Sequence, residues 1–488
     1  MRPEQRQGVR DNAKYLREVR PIDPEEIHEY VEGQPHPGAV AQVLREAAPD
    51  LGLIERADGT FVPALEGPVD LSFHGVAAFP EQYARALEDA LVERFGPGWP
   101  DGESGDSLRA RVRELKDRYL KGLDVEYDEV TALGYALYHL PTTYAEAQYV
   151  LADLAAEGEL PAGLRVLDVG AGVGGPALGL ADLLSADALL EYHAVEPSAA
   201  ADLLERFLAE TGRNVHASVH RKTAEAFDPD GEYDLLVFAN VLSELDAPSE
   251  AVAGYLDSLA ADGTVIAIAP ADRNTATGLR EVERAVEREA GATVYAPTVR
   301  LWPGETPAGE CWSFDAKPEL SVPPFQRRLD EGERGPDPRA YERRDEPPAA
   351  NGDRSPGDGE FVNVDVQYAF GLWRRDDTRR IEYRPDPGRA AKMADAETFV
   401  TERVDLAAVK LSHDLSEDGN PLYLVGDGSE RLDHFAVLTS ESALNRDLAA
   451  ADYGDPLRFE NALVLWNDDE GAYNVVVDGE TVVDRIPG

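Results

Sequence analysis

The spacing of apolar and polar positions changes twice along the chain, and each change marks a different architecture. Residues 1–20 carry the three-to-four-residue spacing of a helix, and Asp23-Pro24 reads as an N-cap with proline at the first position of a second helix. A third helix is predicted over 38–48, followed by two short strands about the Asp58-Gly59 turn. Helices followed by a hairpin predict a winged-helix-like unit. Helical spacing resumes at 82–94, 107–121 and 142–157.

From Leu164 onward, strand and helix patterns alternate, with apolar runs at 165–169, 191–195, 234–238 and 264–269. That alternation predicts a parallel sheet covered by helices. Segment 330–360 is rich in Pro, Gly, Asp and Arg and reads as a linker or mobile loop. Beyond it, the runs 361–373, 404–411, 421–425, 434–438, 462–466 and 473–483 read as short strands of a small OB-like barrel. The expected division is a helical N-terminal region over 1–140, an α/β domain over 141–329, the linker 330–360, and a β-rich OB-like domain over 361–488.

Composition narrows the chemistry. Acidic residues outnumber basic ones 94 to 47, and only seven of the basic residues are lysine. Acidic, lysine-poor surfaces suit proteins working in near-molar salt, where the Debye length falls to about 3 Å. Such screening leaves local patches decisive, so a net charge of −47 does not exclude a nucleic-acid partner. The single cysteine, Cys311, excludes an intrachain disulfide, and without clustered histidines no metal or iron–sulfur centre is expected. No apolar run reaches the roughly 20 residues of a membrane span, and the N-terminus lacks the apolar stretch of a signal peptide. A cytoplasmic location is the expectation.

The chemistry centres on Val166–Ala177, a buried strand, a glycine-dense turn and a helix start. Gly170, Gly172 and Gly174 would let a ligand approach the backbone. Gly170, Gly172 and Gly175 also fit the dinucleotide pattern, so the glycines alone do not choose between cofactors. The neighbouring acids do. Asp168, two residues before the first glycine, would repel a pyrophosphate and favour a cationic methionine moiety. Glu196 ends the next strand, where a carboxylate can accept both ribose hydroxyls of an adenosine. The pair favours S-adenosylmethionine over a nicotinamide cofactor and predicts a class I, Rossmann-like methyltransferase core.

Four further positions are weaker candidates. Thr223 falls beyond the third strand of the alternating segment, near where an adenine would be held, or lies on a solvated loop. Asn240, Ser243 and Glu244 follow the fourth strand, at the carboxyl end where ligands of open α/β sheets bind. Asn240 is a candidate for both cofactor and acceptor, and Ser243 and Glu244 either face the transfer site or cap the following helix. Methyl transfer needs proximity and orientation, with a base where the acceptor must lose a proton. Cys311, the sole thiol, is expected to be buried beside Trp312.

Leu140-Pro141-Thr142-Thr143-Tyr144-Ala145, Val166–Gly174, Ala239–Leu245 and Cys311-Trp312-Ser313-Phe314 together resemble the mitochondrial-type small ribosomal subunit methyltransferase family, over roughly residues 105–375. The resemblance implies S-adenosylmethionine in a Rossmann-like core and a role in maturing the small subunit through its rRNA, by methylation or as a cofactor-binding assembly factor. Two departures limit it: cysteines that carry a cluster in the family are missing from 295–303, and Ala269-Pro270-Ala271 stands where members carry Glu-Pro-Gly. A small-molecule methyltransferase is a third reading.

An RNA partner would need basic surface. Arg6, Arg10, Lys14 and Arg17 recur along one face of a helix, and residues 1–20 hold six basic against three acidic side chains. Segment 107–121 holds six against two and includes Arg109, Arg113 and Lys116. These stripes are either an RNA-contact surface or solvated faces paired with acids elsewhere in the chain.

Overall fold

A computed structural model describes residues 1–123, 125–334, 359–416 and 419–487, so most of the expected linker, 335–358, lies outside the described residues. The chain divides into two compact units, Met1–Val237 with Glu319–Val364, and Phe238–Pro318 with Asp365–Gly488.

The first unit opens with α1 (Pro3–Leu16), α2 (Pro24–Tyr30) and α3 (Pro37–Leu51). The Asp23 carboxylate accepts from the Glu25 amide at 2.9 Å, which is the N-cap that Asp23-Pro24 announced. Gly52, at φ 61°, ends α3. The hairpin of β1 (Leu53–Glu55) and β2 (Phe61–Pro63) follows, and Val9, Ala13, Ile27, Val40, Leu44 and Phe61 form the core between helices and hairpin. Then come α4 (Glu81–Phe95), α5 (Gly102–Lys121), α6 (Glu129–Tyr138) and α7 (Leu140–Ala156). The alternating segment supplies β3 (Gly163–Val169), α8 (Gly175–Leu183), β4 (Leu189–Val195), α9 (Ala200–Leu208), β5 (Val215–His220) and β6 (Tyr233–Ala239). β3 pairs in parallel with β4 and β6, and β4 with β5. Parallel strands buried on both faces explain the near-continuous apolar runs.

The second unit holds α10 (Pro248–Tyr255), β7 (Leu259–Pro270), α11 (Arg273–Ala285), β8 (Thr293–Ala296) and β9 (Asp315–Lys317). After α12 (Pro324–Glu331), which belongs to the first unit, β10 (Val366–Arg374) lies between β7 and β8, antiparallel to both. The run 361–373 is thus not the first strand of the C-terminal barrel, as expected above; its carbonyls and amides are spent on β7 and β8. The barrel comprises β11 (Arg403–Lys410), β12 (Leu422–Gly426), β13 (His434–Leu438), β14 (Pro456–Asn467) and β15 (Ala472–Val477), with α13 (Arg446–Ala450) preceding β14 and β16 (Val482–Arg485) paired to its flank. The order β11-β12-β13-β15-β14 closes through β11–β14, with β13 and β15 parallel. A closed five-stranded barrel with a helix before its fourth strand is OB-like. Ala408, Val425, Ala436, Leu457, Phe459 and Val475 fill it.

The barrel's outer face is also buried. Ala407, Val409, Leu411 and Leu424 pack with Val299, Leu301 and Cys311, and Phe435 and Tyr383 lie against the same cluster. Cys311 is buried there, whereas Trp312 beside it is 44% exposed. Deeper in this unit, Glu283 accepts from Arg280 at 2.7 Å and from Arg300 at 3.0 Å, and all three side chains are about 95% buried or more.

Among the described residues no helix is long and apolar enough to cross a membrane, and no group of three or more His, Cys, Asp or Glu side chains is placed to hold a metal ion.

Candidate functional site

The glycine loop is fixed by the end of the neighbouring strand. The Gly170 and Ala171 amides both donate to the Val195 carbonyl, at 2.9 and 3.1 Å, which turns the chain sharply at the carboxyl end of β3. Gly170, Gly172 and Gly174 have φ of 76°, 54° and 93°, values that carry strain for residues with a Cβ. Their roles differ. A Cβ on Gly172 would meet nothing within 4 Å, so space for a ligand lies over it. A Cβ on Gly174 would stand 2.4 Å from Leu204 Cδ1, and one on Gly175 would stand 2.2 Å from Thr143 Oγ1. Gly174, expected above to bind cofactor, also has to be a glycine because α9 packs against it.

Both acids converge on this loop. Asp168 is 1% exposed; its Oδ2 accepts from the Tyr192 hydroxyl at 2.6 Å, and its Oδ1 has no partner. Burial, with the Glu196 charge adding to it, pushes the Asp168 carboxyl up to about 7. Glu196 lies one residue past β4, 7% exposed, where its Oε2 accepts from the Gly172 amide at 2.9 Å and its Oε1 from the Ser198 amide at 2.8 Å. Each carboxylate oxygen retains a second lone pair for a ligand hydroxyl. A buried acceptor lacking a donor, an adjacent carboxylate and an open cradle over Gly172 together fit a ligand with an ammonium group and vicinal hydroxyls.

Sequence reasoning missed Tyr192, which holds Asp168. Its position, two residues before Ala194, becomes informative only with the β3–β4 register, which sets Asp168 opposite Ala194. Thr223 is exposed at the start of a one-turn 3-10 segment and its side chain caps nothing.

Asn240, Ser243 and Glu244 belong to the second unit. Asn240 has φ 58°, its amide donates to the Ile268 carbonyl at 2.8 Å, and its side-chain Oδ1 is buried without a partner. An orphaned acceptor on a left-handed residue keeps Asn240 a candidate. Ser243 and Glu244 are exposed in the 3-10 turn Leu242–Glu244, and because Ala247 is the N-cap of α10, they do not cap that helix.

The basic stripes are largely paired within the chain. Arg6 is bonded to Glu46, Arg10 to Asp50 at 3.3 Å, and Arg17 to the Leu51 carbonyl at 2.8 Å, so α3 supplies acceptors for α1. Lys14 stays exposed. Arg113 and Lys116 bond Glu360 at 2.8 and 3.1 Å. Arg109, expected above to touch RNA, is 0% exposed and donates to the carbonyls of Pro100 at 2.9 Å and Leu329 at 3.0 Å, and to Asp106 at 2.7 Å. Spacing placed it on the right helix but could not show that α12 covers it. Arg109→Leu is expected to lower the stability of the first unit by about 2–3 kcal/mol, because buried carbonyls lose their donor. Urea unfolding with an unchanged slope measures it, and a midpoint identical to wild type would refute the structural role.

The chain matches three family models: a methyltransferase domain over residues 167–265, and the N-terminal and C-terminal domains of a domain of unknown function (DUF8157) over 6–57 and 394–486. No curated protein matches the sequence. Solved structures similar to part of it include the YcgJ protein from Bacillus subtilis, at 24% identity over 25% of this chain and 50% of that one, with a TM-score of 0.22. Another is an S-adenosylmethionine-dependent methyltransferase from Clostridium acetobutylicum ATCC 824, at 13% identity over 33% of this chain and 57% of that one, with a TM-score of 0.23. A third is magnesium protoporphyrin IX methyltransferase (ChlM) from Synechocystis PCC 6803, at 18% identity over 38% of this chain and 87% of that one, with a TM-score of 0.25. The chain thus spans about half the length of the first two. None of these matches carries the finer resemblance to the small-subunit family. The family model over 167–265 shows that the chain contains a methyltransferase domain, and its alternating strands and helices form the Rossmann-like core.

Proposed function

We propose that the protein binds S-adenosylmethionine over the glycine loop and transfers its methyl group to a small-molecule acceptor. The observation that carries the cofactor is the buried, unpartnered Oδ1 of Asp168 beside Glu196 and the open space over Gly172. Asp168 would hold the ammonium group and Glu196 the ribose hydroxyls. When bound, the cofactor supplies an electrophilic methyl on sulfonium; the chain's own part is to orient it and exclude water. A small acceptor is favoured because the RNA-facing stripes are spent on intrachain pairs, Arg109 entirely.

Glu196→Ala is expected to weaken binding of S-adenosylhomocysteine by about 1–3 kcal/mol, the loss of a charge-assisted hydrogen-bonding group. Calorimetry reads it, and a wild-type protein that gives no binding heat would overturn the reading.

Action on the small ribosomal subunit or its rRNA is a second reading, supported by the OB-like strand order of the C-terminal barrel and by exposed Lys14. Its test is co-sedimentation with small-subunit particles, with and without reversal of Arg6, Arg10 and Lys14 to glutamate. Undiminished association of that variant would reject the α1 stripe.

A further inference from the structure

A cavity of about 360 Å³ lies wholly within the second unit, between two stretches of chain, 293–305 and 377–384. That volume falls in the roughly 300–1,000 Å³ range of small-molecule sites. Its walls are fixed by hydrogen bonds made outside the space itself. The Arg380 amide donates to the Tyr295 carbonyl at 3.1 Å, which ties the second stretch to β8. The Thr293 hydroxyl donates to Asp377 Oδ1 at 3.2 Å, and the Trp302 indole N–H donates to Asp427 at 2.7 Å. β10 sets Val294 level with Val265, at the far end of their paired stretch from Pro270. The Thr293 wall is thus turned away from the carboxyl end of β7, the end where ligands of open α/β sheets bind.

Three arginines and three acids line the cavity, and they are not equally free. Arg300 is spent: its side chain is 2% exposed and bonds Glu287 at 2.8 Å and Glu283 at 3.0 Å, so it forms floor. Glu305 is answered by Lys392. Arg379 reaches the Arg300 carbonyl only at 3.4 Å and Glu287 only at 4.0 Å, which leaves most of its five N–H donors for a ligand. Arg384 is exposed and, among the described residues, its side chain has no partner. Two guanidinium forks therefore remain available on one wall. Asp377 Oδ2 and exposed Glu382 remain as acceptors, and buried Trp302 and half-buried Tyr383 add ring surface.

We propose that this cavity is a second binding site, for a sugar phosphate, free or as the ribose phosphate of a nucleotide. Arg379 and Arg384 hold the phosphate, because paired guanidinium forks match its charge and the geometry of its oxygens. Asp377 and Glu382 accept from the sugar hydroxyls, which a bare anion lacks. The mixed lining is what separates this ligand from a simple anion: acids facing the same space would repel a phosphate alone, and are satisfied only by a ligand that also brings donors. Trp302 and Tyr383 supply apolar faces for the carbon side of the sugar. The site is independent of the cofactor reading, since its walls come entirely from the second unit and the glycine loop from the first.

The test is calorimetry on the full chain with ribose 5-phosphate, adenosine 5′-monophosphate, ribose and inorganic phosphate as probes. Ribose 5-phosphate is expected to bind the wild type at least ten-fold more tightly than ribose or inorganic phosphate does. Tighter binding of the nucleotide than of ribose 5-phosphate would support the site and name a nucleotide as the source of the sugar phosphate. Arg384→Ala, at an exposed position, is expected to keep the wild-type unfolding midpoint and to lose at least ten-fold in affinity for ribose 5-phosphate, about 1.4 kcal/mol. Glu382→Gln is expected to weaken ribose 5-phosphate while leaving inorganic phosphate unchanged. A wild type that binds neither phosphorylated probe, binding of inorganic phosphate as tight as that of ribose 5-phosphate, or an Arg384→Ala variant of unaltered affinity would each overturn the proposal.

Discussion

Glu283→Ala is expected to destabilise the second unit by about 3–5 kcal/mol, the loss typical of breaking a buried ion pair and leaving its partners uncompensated. Glu283 is 4% exposed and bonds two arginines, Arg280 and Arg300, of which Arg280 also donates to the Phe370 carbonyl at 2.6 Å. Burial alone would raise the Glu283 carboxyl, but the two guanidinium groups hold it below the usual range, so it is the charged form that the fold keeps. Glu287 answers only part of the remaining positive charge, accepting from Arg300 at 2.8 Å. Removing the carboxylate leaves Arg280, among the described residues, without the anion it is paired to, at a side chain that is 5% exposed. Glu283→Gln preserves an acceptor but not the charge, and should fall between wild type and alanine. Trp302 and Trp373, both buried in this unit, report the transition by fluorescence. A loss below about 1 kcal/mol for the alanine variant would show that the pair contributes little.

The second large effect is a pH dependence centred on Asp168. Its carboxyl is pushed from the ordinary 3.8 up to about 7, by burial first and by Glu196 second. A group bound more tightly to its proton in the folded state contributes stability that is fully present below the ordinary value and is lost as pH rises through the folded one. At about 1.4 kcal/mol per pH unit, ionising Asp168 costs the ligand-free fold about 4 kcal/mol by pH 8. Asp168→Asn keeps an acceptor for the Tyr192 hydroxyl and removes the titration. The variant is therefore expected to match wild type near pH 4 and to exceed it progressively up to pH 8. Thermal unfolding of both proteins at intervals across pH 5–8 measures the divergence, and parallel curves would refute it. An ammonium group beside Oδ1 would reverse the preference, so S-adenosylmethionine binding near pH 7 should release protons in the wild type and none from this site in the variant.

The part of this architecture that was legible in the sequence is the part written in local signals. The strand–helix alternation from Leu164, the turn at Gly170–Gly174 and the acids at 168 and 196 all lie within a few residues of the structure they specify. The OB-like barrel was legible as a count of short strands, although its closure through β11 and β14 is a long-range pairing. What was hidden is what depends on partners distant in sequence. α6 was not anticipated because Thr131–Leu137 is buried nearly all round, which erases the polar stripe that marks a surface helix. The placement of β10 was misread because a buried strand carries no mark of which neighbour it will join.

At the site the same division holds. Gly172 and Gly174 look identical in sequence, and only Leu204, 30 residues on, distinguishes the glycine that leaves space from the one that yields to packing. Arg6 and Arg109 both fitted a basic stripe, and the difference between a surface pair with Glu46 and a sealed cation lies in α3 and α12.

The position of β10 has a consequence for how the molecule comes into being. During synthesis β7 and β8 emerge well before residues 366–374, and the edges that face β10 then carry amides and carbonyls with no strand to answer them. Such edges are templates for pairing with other chains. Release of a nascent polypeptide anywhere between 297 and 365 would therefore yield a fragment with a slot in its sheet, prone to associate edge to edge. The last strand of the sheet is in this sense a closing stitch, and the facing edges of β7 and β8 are answered only once it has been sewn.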